Sequence, residues 1–93
     1  MQELRLKDFI VDACKADAAL EFLPQKKMEL DLRKIAEKLA KFAQIQAETP
    51  HVLIFTFKGV NVSLFKSGRI LVKEADEEKA RSIVAELLRT INA

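Results

Sequence analysis

The stretch from Val52 to Ala93, VLIFTFKGVNVSLFKSGRILVKEADEEKARSIVAELLRTINA, decides the fold. Its first half reads as three short strands, VLIFTF, VNVSLF and RILVKE, each rich in the β-branched and aromatic residues that suit a pleated surface. In its second half Ala80, Ile83, Val84, Leu87, Leu88 and Ile91 follow the i, i+3, i+4, i+7, i+8 spacing of one buried helical stripe. A meander followed at once by an amphipathic helix predicts an α+β fold, an antiparallel sheet with helices packed on one face. The other face of that sheet then needs its own explanation, and function is to be sought there.

Upstream, Asp31 is placed to cap a second main helix that runs to about Phe42, since Leu32, Ile35, Ala36, Leu39 and Ala43 share one face. Its outer face carries Arg33, Lys34, Glu37, Lys38 and Lys41, with Glu37 and Lys41 in the favourable i, i+4 order. The residues that follow read as a linker closed by Pro50. Ala18, Leu20 and Phe22 alternate with Ala19 and Glu21, which predicts a strand ending at Pro24. Residues 1–24 are the least determined part. Leu6, Phe9, Ile10, Ala13 and Ala16 sit at helical spacing and predict a short extra N-terminal helix, although Leu4 and Leu6 alternate as a strand would.

Composition limits the choices. A chain of 93 residues is read as one domain, whose single core must supply all its stability. A hydrophobic content of 49% beside 32% charged residues argues for a folded chain and against disorder. Sixteen basic and 14 acidic residues give a net charge of +2, too balanced to announce a nucleic-acid partner by excess alone. No run is long and apolar enough to span a membrane, and the charged N-terminus lacks a signal-peptide core, so the expected location is cytoplasmic. The single cysteine, Cys14, is expected to be a half-buried structural thiol.

Loop length decides which side chains face outward. Phe57-Lys58-Gly59 and Lys66-Ser67-Gly68 both fit three-residue loops with glycine at the left-handed position. In the second hairpin this register pairs Leu64 with Ile70 and Val62 with Val72 on one face, leaving Ser63, Phe65, Arg69, Leu71 and Lys73 on the other. In the first it sends Val52 and Ile54 inward and turns Leu53 and Phe55 outward. A two-residue Lys58-Gly59 loop would reverse the first assignment, because one residue of slip flips every side chain. The three-residue reading is preferred because a two-residue loop would force non-glycine Lys58 to a positive φ.

LDLRKIAEKL, TPHVLIF and VSLFKSGRILVKEADEEKARSIVAELLRTI together resemble one repeat of the TATA-box-binding protein family, from Leu30 to Asn92, with one short deletion at the Lys58-Gly59 turn. The resemblance implies a strand, a helix, a curved antiparallel meander and a long final helix, with the helices on the convex side. It implies a half-saddle, which would need a homodimer to complete it. Phe65 stands at one of the two positions where the family wedges phenylalanine between base steps, and Thr49 stands at the other. Phe55 replaces the family's phosphate-contacting arginine, and Leu71 and Lys73 replace its small groove-facing residues. The same half-saddle also serves as an accessory domain of certain DNA glycosylases and bacterial ribonucleases H.

The function read from these residues is a non-enzymatic binding module. Its free, partly apolar sheet face docks a protein partner or a second copy through Leu53, Phe55, Phe65 and Leu71. The alternative is a homodimeric DNA-binding architectural protein without TATA specificity, contacting duplex DNA at the minor groove, with Lys58, Lys66, Arg69 and Lys73 on phosphates. The acids that follow at once, Glu74, Asp76, Glu77 and Glu78, favour reading those cations as guards of turns and sheet edges. A third reading is an enzyme's accessory domain, and the plain alternative to all of these has the N-terminal segment folding over the face so that no partner is needed. Glu74, Asp76, Glu77 and Glu78 are read as answering a helix macrodipole and not as a cation site. His51 has no partner motif for a triad or a zinc site, and two isolated glycines exclude a phosphate-cradling loop. No enzyme activity, cofactor, metal or small-molecule substrate is expected.

Overall fold

The computed structural model describes residues 8–14, 19–73 and 76–92, with the side chains of Ala13 and Cys14 outside the description. Expectations resting on Leu4, Leu6, Ala16, Ala18, Glu74 and the Cys14 thiol fall outside it. The chain is α+β, in the order β1 Phe9–Cys14, β2 Ala19–Pro24, α1 Leu32–Leu39, β3 Ala43–Glu48, β4 Val52–Phe57, β5 Val60–Phe65, β6 Ile70–Lys73 and α2 Glu77–Asn92. The strands form one six-stranded antiparallel sheet in the order β1-β2-β6-β5-β4-β3. Both helices lie on one side of it, because their buried residues join one strand face in a single core that includes Phe22, Ile35, Phe55, Leu64, Leu87 and Ile91.

Two elements differ from the sequence reading. Phe9–Cys14 is a strand and not a helix. Phe9 and Val11 turn to the core, Ile10 and Asp12 turn away, and β2 offers the open edge whose ladder the segment completes. Tertiary pairing outweighs a helical spacing carried by only a few apolar positions. The described part of the N-terminal segment therefore lengthens the sheet and does not cover its face. The presumed linker is β3, and α1 stops at Leu39, short of the expected Phe42. Ala43, Ile45 and Ala47 are half-buried, alternating with exposed Gln44, Gln46 and Glu48, which is strand periodicity.

The first hairpin settles the facing question. Phe57 pairs with Val60, so the loop is the two-residue Lys58-Gly59 turn, with Lys58 at φ 52° and Gly59 at φ 80°. Leu53, Phe55 and Phe57 are consequently buried, while Val52, Ile54 and Thr56 face the open side. Side-chain burial outweighs the backbone cost at Lys58. Holding Lys58 left-handed costs about 1–2 kcal/mol. Burying one phenylalanine gains about 1.5–3 kcal/mol, and this register buries two phenylalanines and a leucine in place of valine, isoleucine and threonine. The second hairpin has the three-residue loop as read, with Leu64 opposite Ile70, Val62 opposite Val72 and Gly68 at φ 96°.

Both helices start on aspartate caps. Asp31 Oδ1 accepts from the Lys34 N–H at 3.2 Å, and Asp76 Oδ1 accepts from the Lys79 N–H at 2.8 Å. Asp76→Ala should lower stability by about 1 kcal/mol, read as a shifted urea midpoint at unchanged slope.

Candidate docking face on the open side of the sheet

Strand registers arrange the open face in three rows running across the sheet. The first holds Ile10, Leu23, Arg69, Phe65 and Val52. The second holds Asp12, Glu21, Leu71, Ser63, Ile54 and Ala47. The third holds Ala19, Lys73, Asn61, Thr56 and Gln44. Apolar side chains dominate the first two rows towards β4 and β5, and the third is polar from Lys73 to Gln44. Gln46, Thr56 and Asn61 bond to one another there, with Thr56 Oγ1 donating to Asn61 Oδ1 at 3.1 Å. Neighbours on a pleated sheet shield one another sideways, so Val52, Ile54, Phe65 and Leu71 are each half-buried although no element covers them among the described residues. Ile10, at the edge of the face, is 55% exposed.

Of the expected anchors, Phe65 and Leu71 stand on this face, and Leu53 and Phe55 do not. Both are 0% exposed and belong to the core. Sequence reasoning placed Val52 and Ile54 inside and did not single out Ile10 or Leu23. The signal that would have found Val52 and Ile54 is the Lys58-Gly59 dipeptide read as a two-residue hairpin turn.

The four expected rim cations do not act together. Lys58 pairs with Glu86 of α2, on the helix side of the molecule, and its ammonium lies 6.0 Å from the Phe57 ring centre. Lys66 pairs with Glu29 at 2.7 Å. Its ammonium holds the exposed Glu29 carboxyl below the ordinary value of 4.5, through their hydrogen bond first and charge second. Arg69 pairs with Glu21 and lies over the Phe65 ring, 4.9 Å from its centre, which fixes the ring on the open face. Lys73 is exposed and makes no ion pair among the described residues.

Thr49, at the second wedge position of the resemblance, is used within its own loop. Its Oγ1 accepts from the His51 and Val52 N–H groups at 3.2 and 2.9 Å, closing the β3–β4 connection. His51 is exposed at the start of β4, and its carbonyl accepts from the Lys66 N–H at 2.9 Å. An open groove of about 610 Å³ beside this corner is lined by residues that include Lys66, Glu29, Arg33 and Glu48. Its Lys66 and Glu29 are bound to each other. Among the described residues no three His, Cys, Asp or Glu side chains gather as a metal site requires, and no helix is long and apolar enough to cross a membrane.

Comparison with models of protein families, with curated proteins and with solved structures returned no match for this chain.

Proposed function

We propose that the protein is a binding module whose open sheet face docks another protein chain, without catalysis of its own. The observation that carries this reading is the strip of Phe65, Leu71, Ile54 and Val52. These apolar side chains stand side by side on a face that no described element covers, next to a polar row that would form a rim. From Ala19 to Asn92 the elements run strand, helix, four-stranded meander, long helix. That order agrees with what the resemblance to a TATA-box-binding protein repeat implies, and it supports a half-saddle, with β1 as an additional edge strand.

DNA binding by two such halves is the weaker reading. Lys58, Lys66 and Arg69 already hold carboxylates, and phosphate contact would first have to release them. The protein-docking reading predicts no salt-sensitive affinity for an A·T-rich duplex by fluorescence anisotropy, even at low ionic strength. It also predicts that Phe65→Asp and Leu71→Lys each remove at least tenfold of affinity for a captured and purified partner, while Lys58→Glu does not. The fold should survive both changes, since an aspartate at 65 would face Arg69 and a lysine at 71 would face Glu21. A partner held equally by all three variants would sink the reading.

A further inference from the structure

We propose that β1 pairs antiparallel with β1 of a second copy, forming a two-fold dimer whose sheets join edge to edge. The backbone phase of β1 fixes how. The Asp8 carbonyl accepts from the Gln25 N–H at 2.9 Å, so Asp8 and Gln25 form a hydrogen-bonded pair of the β1–β2 ladder. In an antiparallel ladder such pairs recur at every second residue. Ile10 and Asp12 therefore spend their backbone groups on β2, and the N–H and C=O groups of Phe9, Val11 and Ala13 point away from the sheet. These three residues form a self-complementary row. Val11 opposite the partner's Val11 sets Phe9 opposite the partner's Ala13 on either side, giving three two-bond pairs, about six hydrogen bonds in all.

Neighbouring registers are poorer. A shift of one residue would put the helices of the two copies on opposite sides of the joined sheet. Centring the pair on Asp12 would set two aspartates face to face, and centring it on Ile10 would lose one of the three two-bond pairs. In the Val11 register the exposed Ile10 lies opposite the partner's Asp12, and no like charges meet within the strands. The other sheet edge is built differently. β3 carries a bulge between Ile45 and Ala47, which discourages pairing, whereas β1 is six residues of unbroken ladder. The proposal concerns the edge of the sheet and does not depend on what the open face binds.

Sedimentation of the full chain from about 1 µM to 1 mM tests it, because so short an interface is expected to dissociate in the middle of that range. Ile10 is exposed, so its substitution should leave far-UV circular dichroism unchanged. Ile10→Asp places two new like-charge pairs against the partner's Asp12 and should weaken the dimer about tenfold, and Ile10→Lys should tighten it at low salt and lose the gain at high salt. Leu71→Lys, on the open face, should leave the dimer constant within about twofold. The proposal is overturned by a monomer at all concentrations, by Ile10→Asp and Ile10→Lys shifting the equilibrium in the same direction, or by a dimer lost in Leu71→Lys but not in Ile10→Asp. That last result would move self-association to the open face.

Discussion

Phe55→Ala will lower the stability of this protein by about 3–5 kcal/mol, the range for deleting a buried aromatic ring. Phe55 is 0% exposed, pairs with Val62 on one side and Ile45 on the other, and lies between the sheet and the helices. At about 4–8 °C per kcal/mol for a domain of this size, the melting temperature should fall by tens of degrees. Against a total of roughly 5–15 kcal/mol, little folded protein would remain under mild denaturant. Phe65, on the neighbouring strand β5 and on the opposite face, supplies the contrast. Phe65→Ala should cost far less, because the ring is half-buried against Arg69 and not enclosed. A urea melt of the pair is the check, and equal losses would mean that the hairpin register described above is wrong.

Gly68→Ala is expected to be the most damaging change at any turn, at about 2–4 kcal/mol, from two separable causes. The backbone holds φ 96°, where a Cβ is strained in any surroundings. The added Cβ would also lie 2.5 Å from Met28 Sδ, 2.8 Å from Met28 Cγ and 3.2 Å from Pro24 Cγ. Gly59 isolates the first cause, since φ is 80° there and nothing lies within 4 Å of its Cβ position. Gly59→Ala should thus cost only about 1–2 kcal/mol. In the double variant Gly68→Ala with Met28→Ala, the excess of Gly68 over Gly59 should shrink, because the flexible thioether is gone. If the excess stays whole, the pyrrolidine ring of Pro24 is the obstacle.

What could be read from the chain was whatever a strong period writes. The α2 stripe from Ala80 to Ile91, the Asp31 cap and the second hairpin of β5 and β6 follow from spacing or from one decisive residue, and the structure has each of them. β3 went unread because Ala43, Ile45 and Ala47 are small or isolated apolar residues, and Ala43 also fitted the preceding helical face. Only their alternation with Gln44, Gln46 and Glu48 marks the strand. β1 was hidden by the overlap of helical and strand spacing in FIVDAC, which the neighbouring edge of β2 resolves. Half of the candidate face was misplaced for a different reason. The preference at Lys58 is local, whereas the facing of three large side chains depends on the turn it occupies. The two-residue turn exchanges Leu53 and Phe55 for Val52 and Ile54 on the open side.

The bulge at Gln46 limits how far such a sheet can grow. A protein with two regular edges can add copies at both, and identical strands stacked that way propagate into fibres. Here one edge breaks its own ladder at Gln46, and the other is matched only to itself. Joining β1 to β1 uses up both regular edges and leaves a bulged strand at each end. In the proposed edge-to-edge dimer, growth would therefore stop at two copies, because a single extra residue interrupts the ladder of each outer strand.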